Sequence, residues 1–391
     1  MSSAWLLPEH ISDVLPAQAR RLEELRRSLL DRAHGYGYEL IAPPLLEHLE
    51  SLLSGTGHAL DLRTFKLVDQ LSGRTLGLRA DTTPQAARID AHLLNRDGVT
   101  RLCYCGPVLH TRPAGLLASR EPLQFGAELF GHAGLEADLE VQELAIDSLV
   151  LAGARELLID LADARLLRAV LAGVIVDPRR LDEVAQAVSN KDPAGVQALA
   201  TGMPREVQTA LQSLVTLYGG SDVLAQARRL LPARPLIDAA LNQLEWLATH
   251  LQQAHPDLRV GFDLSDFSGY TYYSGPRFTV YAPGATDPLV RGGRYDEVGA
   301  VFGRNRPAAG FSMDLKSLVE LDLGAPAAAA VRAPWGEDAA LRRTVRQLRD
   351  AGEIVVCALP GHEPGVECDR ELVSVDGRWV LRSIVSEGQG L

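Results

Sequence analysis

The 391-residue sequence lacks several features that would assign it to a class of protein at once. No apolar run approaches the roughly 20 residues that a membrane-spanning helix needs. The N-terminal segment 1–20 lacks the basic-then-apolar pattern of a secretory signal peptide. No Cys-x-x-Cys or His-x-x-x-His pair suggests a zinc site. We therefore expect a cytoplasmic protein with no membrane association, no metal and no cofactor.

The sequence also has few cysteines, and its net charge is negative. The four cysteines do not suggest a disulfide framework, and two of them, Cys103 and Cys105, share one face of a predicted strand. The pattern favours reduced, structural thiols. The net charge of −11 disfavours a broad nucleic-acid surface, because binding of nucleic acid depends largely on Lys and Arg neutralising phosphates. An acidic protein can still carry a local basic patch.

The N-terminal part of the chain alternates helix and strand patterns. Leucines at helical spacing predict a helix over 17–35, and an amphipathic pattern predicts another over 136–150. Strands are predicted between and after these helices, and they outnumber the helices that could connect parallel strands. We therefore predict an α+β fold with a largely antiparallel sheet flanked by helices.

Three further segments differ in composition from this core. Residues 165–256 carry helical patterns almost throughout and predict an inserted helical subdomain, with Asp177-Pro178 as one helix start. Residues 323–335 are rich in Ala and Pro, which is typical of a linker. The tail, 336–391, predicts a small α/β domain. The predicted core thus spans residues 1–322.

Six short motifs occur in the order found in histidyl-tRNA synthetases, and together they resemble that class II synthetase family over roughly residues 8–320. One segment resembles motif 1, the dimer-forming segment, and others resemble motifs 2 and 3 and the histidine-specific signatures. The matching segments are Tyr36–Pro44, Leu78–Pro84, Gly106–Gly131, Asp266–Ser274, Gly292–Asp296 and Gly310–Leu315. The resemblance implies the synthetase fold and an amino-acid pocket.

The resemblance also implies which side chains bind histidine. Asp81, Thr83 and Gln124 fall where the family holds the amino group. Glu128 and Tyr273, with the adjacent Tyr272, fall where it holds the imidazole, whose two nitrogens suit a carboxylate on one side and a hydroxyl on the other. Taken singly, Asp81 is equally well explained as a turn residue and Tyr273 as a core aromatic side chain.

Three positions that the family uses for positive charge differ here: His110, Ser268 and Ser317 replace arginines. Adenylation needs such cations to stabilise charge developing on the phosphate. Arg112 and Arg120 lie nearby in sequence and could compensate. The loop between them contains Leu116-Leu117, an unusual choice for contacting tRNA. That loop is either a surface loop or a protein contact.

The chain resembles the synthetase paralogues that act as regulatory subunits of ATP phosphoribosyltransferase. This resemblance implies a chain without catalytic activity that confers histidine feedback on the short catalytic subunit, in a hetero-octamer. It also implies a homodimer through the motif 1 region and no tRNA binding, since the acidic tail is too short for an anticodon-binding domain. The alternatives are a histidyl-tRNA synthetase and a stand-alone histidine-binding module.

Overall fold

The protein is represented by a computed structural model that describes residues 6–53, 57–115, 118–321, 330–362 and 365–384. The chain divides into two compact units, residues 1–323 and 324–391. Within the described ranges, no helix combines the length and apolarity needed to cross a membrane. The same ranges contain no cluster of three His, Cys, Asp or Glu side chains arranged to hold a metal ion.

The larger unit mixes strands and helices along its whole length. Its strands are β1 Glu39–Leu40, β2 Leu46–His48, β3 Phe65–Val68, β4 Thr75–Leu78, β5 Thr100–Pro107, β6 Leu123–Phe130, β7 Leu158–Asp163, β8 Tyr218–Gly219, β9 Arg259–Asp263, β10 Pro276–Tyr281, β11 Val290–Arg294 and β12 Ala308–Asp314. Its helices are α1 Pro16–Gly35, α2 Leu49–Leu53, α3 Gly57–Arg63, α4 Thr83–Arg88, α5 Leu135–Leu151, α6 Arg165–Val170, α7 Pro178–Ser189, α8 Pro193–Leu199, α9 Arg205–Leu214, α10 Asp222–Leu230, α11 Pro235–Ala254 and α12 Leu315–Glu320. Helix α4 continues as a π-helix over Ile89–Leu94, and a 3-10 turn spans Ala300–Phe302.

Among the described residues, nine of these strands form one sheet in the order β1-β5-β6-β12-β11-β10-β7-β9-β8. The pairs β1–β5 and β7–β9 are parallel, and the other neighbouring pairs are antiparallel. A smaller antiparallel sheet has the order β2-β4-β3. The prediction of an α+β fold with a largely antiparallel sheet is therefore confirmed.

The two faces of the nine-stranded sheet have different chemistry. On β6, Phe125, Ala127 and Leu129 are buried in one apolar cluster with side chains of α1, α5 and α11. Because successive side chains of a strand point to opposite faces, Gln124, Gly126 and Glu128 lie on the other face. We call this second face the pocket face. The sheet therefore buries its apolar side under helices and carries polar side chains on its other side.

Residues 165–254 are mostly helical and contain α6 to α11. Asp177 caps α7 by accepting a hydrogen bond from the Arg180 backbone N–H at 3.1 Å, with Pro178 in the first turn. Helices α7, α9 and α11 bury their apolar stripes in the same cluster as the core face of the sheet. The short strand β8 interrupts the insertion and pairs with β9 at the edge of the sheet.

The smaller unit contains β13 Ala330–Pro334, α13 Ala339–Asp350, β14 Val355–Ala358, β15 Cys368–Val375 and β16 Arg378–Ser383. Its strands form a sheet in the order β14-β13-β15-β16. Leu341 and Val345 of α13 pack against Val331 and Leu372 of the sheet. An α/β unit is present here, as the sequence predicts for the tail.

Strands β11, β13 and β15 have compositions that conceal them from sequence-based prediction. Residues 330–334 are strand β13 rather than linker, because Val331 and Ala333 alternate inwards into a small core; residues 322–329 lie outside the described residues. Strand β15 was missed because Asp369, Arg370 and Glu371 stand consecutively within it. Strand β11 was missed because its two central glycines have low strand propensity.

Candidate functional site

Small residues form the floor of a recess on the pocket face: Gly126 on β6, Gly293 on β11, and Gly310 and Ser312 on β12. Gly310 lies opposite Glu128 on one side and Gly293 on the other. A Cβ atom on Gly310 would overlap with Glu128 Oε2 and with the Tyr295 hydroxyl, and one on Gly126 would overlap with the Tyr104 hydroxyl. The missing side chains therefore keep polar groups of the walls close to the sheet.

The three residues predicted to bind an amino group lie together at one end of this recess. Asp81 follows β4, and its Oδ1 accepts from Gln124 Nε2 at 2.8 Å and from the Thr83 backbone N–H at 3.1 Å. Gln124 Oε1 in turn accepts from the Thr82 backbone N–H at 2.9 Å. Among the described residues, none donates to Asp81 Oδ2. The cluster thus holds a carboxylate in place with one oxygen available to a cation.

Glu128 lies at the centre of the floor and is 1% exposed. Its Oε1 accepts from the Tyr104 hydroxyl at 2.9 Å, and that hydroxyl lies 3.1 Å from Thr83 Oγ1. Glu128 Oε2 is buried without a hydrogen-bond partner among the described residues. Burial raises the pKa of the Glu128 carboxyl well above its ordinary value, which favours the protonated form in the ligand-free pocket.

Aromatic side chains form the wall above Glu128. The rings of Tyr272 and Tyr295 stack at 5.0 Å, and Tyr273 meets Tyr272 edge-on at 5.4 Å. The hydroxyls of Tyr272 and Tyr295 are both buried without a partner among the described residues. Burial is the main cause that raises the pKa of Tyr272, and the nearby carboxyl groups of Glu128 and Asp81 act in the same direction. Of the two predicted tyrosines, Tyr272 is therefore the one whose hydroxyl is affected by Glu128.

Tyr273 has a different environment, because its ring lies 5.1 Å from the guanidinium of Arg277. Arg277 is 2% exposed and forms an ion pair with Asp266 at 2.7 Å. Burial raises the pKa of Tyr273, while the positive charges of Arg277 and Arg291 act in the opposite direction. Tyr273 thus combines packing against a buried ion pair with a position beside the recess.

Two residues of the recess, Tyr104 and Tyr295, were not predicted from the sequence. Tyr295 belongs to the Gly292–Asp296 signature, which the structure divides between the two faces of the sheet. Arg294 points to the core face and forms an ion pair with the buried Asp138, whereas Tyr295 follows the strand and reaches the pocket. No sequence motif indicates a role for Tyr104 in the site. The structure shows that it lies opposite Gly126 in the β5–β6 pair.

His110 occupies the first of the three altered positions and is a neutral ring. Its Nε2 lies 2.9 Å from the Ala80 carbonyl oxygen, which can only accept, and Arg63 Nη2, which can only donate, lies 3.1 Å from Nε2 and 3.2 Å from Nδ1. Burial and the positive charge of Arg63 lower the pKa of His110 to about 4. The ring therefore supplies no positive charge near neutral pH.

The other two altered positions are used to stabilise local structure. Ser268 is exposed, and its Oγ donates to Asp266 Oδ1 at 2.7 Å. Ser317 Oγ donates to Asp314 Oδ2 at 2.9 Å in the first turn of α12. The neighbouring Lys316 forms an ion pair with Glu121 at 3.2 Å. Neither serine replaces the charge of an arginine.

The two nearby arginines behave differently. Arg120 donates to the His110 carbonyl at 3.0 Å and lies 5.3 Å from the ring of Phe65. Arg112 is exposed on the loop after β5, and no described residue forms a hydrogen bond with its side chain. Leu116-Leu117, predicted to lie in a surface loop or a protein contact, falls outside the described residues.

Sequence comparison divides the chain into two matched parts. A sequence model of histidyl-tRNA synthetase matches residues 10–318, and one of the ATP phosphoribosyltransferase subunit HisZ C-terminal domain matches residues 328–382. The chain is 60% identical over 386 residues to the ATP phosphoribosyltransferase regulatory subunit of Variovorax paradoxus (strain S110), and the match covers 98% of this chain and 100% of that protein.

Solved structures share the fold. The crystal structure of an ATP phosphoribosyltransferase regulatory subunit/histidyl-tRNA synthetase from Bacillus halodurans C superposes with a TM-score of 0.79 at 28% identity, over 94% of this chain and 95% of that one. A chain of the ATP phosphoribosyl transferase (HisG:HisZ) complex from Thermotoga maritima gives a TM-score of 0.59 at 17% identity, over 78% of this chain and 98% of that one. At that identity the second likeness concerns the fold alone.

Proposed function

The chain belongs to the family of ATP phosphoribosyltransferase regulatory subunits, and we propose that it binds histidine in the recess on the pocket face of its large sheet. Its function is that of a regulatory subunit in the first step of histidine biosynthesis. In this proposal, bound histidine favours one state of the complex over another and so controls the catalytic subunit.

The observation that carries the proposal is the group of unpartnered polar atoms around Glu128. Glu128 Oε2 and the hydroxyls of Tyr272 and Tyr295 are buried without partners among the described residues. Leaving each such group unsatisfied costs about 1–3 kcal/mol, so a ligand that hydrogen-bonds to them gains affinity. An imidazole has two ring nitrogens for these atoms, and the ammonium of the same amino acid suits Asp81 Oδ2.

The direct test is calorimetry of the chain with histidine, followed by inhibition of the reconstituted complex. Glu128→Ala removes the carboxyl at the centre of the floor, so we expect loss of histidine binding and loss of histidine inhibition. Glu183→Ala, at an exposed position on α7, is the matched control and keeps both. Undiminished inhibition of the Glu128→Ala complex would place the effector elsewhere and refute the proposal.

The chain is proposed to have no catalytic activity of its own. The positions His110, Ser268 and Ser317 carry no positive charge, and their hydrogen bonds go to protein groups. Adenylation requires preorganised cations at the phosphate, which these residues do not supply. Histidine-dependent exchange of pyrophosphate with ATP at enzyme-like rates would instead identify a histidyl-tRNA synthetase. A stand-alone histidine-binding module predicts binding of histidine without association with a catalytic subunit.

The proposed partners are the short catalytic subunit and a second copy of this chain. Strand β1 is at the edge of the nine-stranded sheet, and apolar side chains in and after it, Leu40, Leu45 and Leu46, are more than 40% exposed. An exposed apolar edge is typical of an interface and supports a homodimer through the motif 1 region. Light scattering of the chain alone and mixed with the catalytic subunit tests for a dimer and for a hetero-octamer. Filter binding tests the proposed absence of tRNA binding.

A further inference from the structure

The proposed histidine site needs a positively charged group for the α-carboxylate of the ligand. A free amino acid carries a carboxylate, and the position that would bind it in a synthetase is occupied by Ser268. The Ser268 hydroxyl donates to Asp266, and the guanidinium of Arg277 pairs with the same carboxylate. Both groups are therefore engaged with Asp266. If a zwitterionic ligand binds in the recess, rather than an uncharged imidazole, another positively charged group is needed beside it.

Arg291 on β11 lies on the pocket face, in register with Ser312 and Gly126. The strand register places Arg291 opposite Ser312, and Ser312 opposite Gly126. Side chains directly opposite in antiparallel pairs share a face, so Arg291 lies two strands, or roughly 10 Å, from Gly126 on the same side of the sheet. In the strand register, the residue between them is Ser312, which has a small side chain. Arg291 and the Asp81–Gln124 cluster therefore flank the recess from different sides.

The Arg291 side chain has no hydrogen-bond acceptor or acidic partner among the residues that the structure describes. Arg291 is exposed, and in the described ranges no residue forms a hydrogen bond or an ion pair with its side chain. Its positive charge acts on the Tyr273 hydroxyl, which places it near the aromatic wall. An unpaired arginine on the polar face of a sheet is free to bind an anionic group in two parallel hydrogen bonds.

Other cations around the site are committed to protein groups. Arg63 contacts the ring of His110, Arg120 donates to the His110 carbonyl, and Lys316 pairs with Glu121. Arg112 remains as a rival, since it too is exposed without a described partner. It lies on the loop after β5, however, whereas Arg291 is held by the hydrogen bonds of a central strand. A rigid strand positions a ligand group more accurately than a loop does.

We propose that Arg291 binds the α-carboxylate of the ligand and makes the recess selective for a complete amino acid over its decarboxylated amine. The inference rests on the proposed function and assigns the charge recognition that Ser268 does not provide. In this arrangement the imidazole lies beside Glu128 and the hydroxyls of Tyr272 and Tyr295, the ammonium meets Asp81, and the carboxylate meets Arg291.

The test compares two ligands that differ only in the carboxylate, histidine and histamine, by calorimetry on the full chain. The wild-type chain is expected to bind histidine roughly 10- to 100-fold more tightly than histamine, the difference expected for a charge-assisted pair. Arg291→Gln should remove that preference by weakening histidine alone, and Arg291→Lys should restore part of it. Arg259→Gln changes an exposed arginine on β9, on the same face but four strands from β12, and should keep the wild-type preference.

The outcomes separate this inference from the proposed function. If wild-type chain binds neither ligand, the proposed function fails, and the assignment of Arg291 fails with it. If wild-type and Arg291→Gln chains bind histidine equally, only the Arg291 assignment is refuted. It is refuted equally if Arg291→Gln weakens both ligands alike, or if Arg112→Gln shows the loss instead.

Discussion

The two ends of the recess on the pocket face differ in how their polar groups are satisfied. At the amino-acid end, Glu128, Tyr272 and Tyr295 keep buried polar atoms without described partners. At the three positions where the synthetase family has the arginines used in adenylation, His110, Ser268 and Ser317 are hydrogen-bonded to other protein groups. Buried polar atoms are costly unless something pairs with them, so a ligand that hydrogen-bonds to the first set would gain affinity.

The contrast shows how a binding site can be separated from a catalytic one on the same sheet. Groups that hold an amino acid act in the ground state, whereas phosphate-facing cations act on charge that develops during reaction. In the proposed function, loss of the second set leaves affinity for the amino acid in place. A surface of this kind suits an effector, since binding energy is then available to shift a conformational equilibrium.

The largest expected effect comes from filling the floor at the amino-acid end. In Gly310→Ala the new Cβ would overlap with Glu128 Oε2 and the Tyr295 hydroxyl and lie 2.7 Å from the Ala127 carbonyl oxygen. We expect histidine binding to be lost, together with about 1–3 kcal/mol of unfolding free energy from overpacking. Calorimetry and urea denaturation measure the two effects.

The control for Gly310→Ala is a glycine whose replacement by alanine adds neither a contact nor backbone strain. Gly303 does not meet this condition, because it has a positive φ of 79°. Gly35→Ala serves instead, since its Cβ would meet nothing within 4 Å. Histidine affinity in Gly310→Ala equal to that of the Gly35→Ala control would show that the ligand does not lie on the glycine floor.

The next effect is expected at the amino-group cluster. Gln124→Ala removes the donor to Asp81 Oδ1 and the acceptor for the Thr82 N–H. Asp81 is then less well oriented, and we expect roughly 10- to 100-fold weaker histidine binding, in line with the cost of a hydrogen bond to a charged group. Imidazole, which lacks the ammonium, should bind the variant and the wild-type chain alike. A parallel loss of imidazole binding would contradict the assignment of the ammonium to this cluster.

Much of this contrast could be predicted from the sequence, because motif order assigns residues to a known pattern. Asp81, Thr83 and Gln124 do lie together, and the alternation along β6 alone places Gln124 and Glu128 on one face. The antiparallel sheet also followed from counting strands and helices. These inferences succeed because periodicity and local order are encoded over a few residues.

What could not be predicted depends on contacts between segments distant in the chain. The pairing of His110 with Arg63 spans 47 residues, and nothing in either segment indicates it. The role of Tyr104 depends on Gly126 lying opposite it in the next strand. Arg291 lies in a strand that its glycines conceal. Strand β13 was interpreted as linker, because Ala and Pro obscure a short buried alternation.

A smaller effect is expected on the free energy of unfolding at acid pH, to which His110 contributes. Its folded-state pKa of about 4 lies below the ordinary value of 6.5, so the unfolded chain binds a proton first as the pH falls. Stability from this group is complete above about pH 6.5 and decreases between about 6.5 and 4. His110→Asn keeps a donor for the Ala80 carbonyl without this titration. The stability difference between wild type and variant should shift by about 2 kcal/mol between pH 7 and pH 5.

Using the difference between the two proteins removes the titration of other buried groups. Asp138 and Asp160, whose pKa values are raised to about 6 by burial, titrate in the same interval in both chains. Chemical denaturation at the two pH values measures the shift. A constant difference across the interval would mean that His110 is solvated and titrates normally in the folded chain.

The smallest effect is expected from restoring one cation at the phosphate end. Ser268→Arg places a guanidinium at an exposed position beside Asp266, whose carboxylate already pairs with Arg277. Because His110 stays neutral and Ser317 carries no charge, the developing charge on a phosphate remains largely unstabilised. We therefore expect no histidine-dependent exchange of pyrophosphate with ATP above the wild-type background. Exchange at enzyme-like rates in this single variant would mean that the phosphate end has kept its catalytic groups, and the two ends of the recess would no longer differ in function.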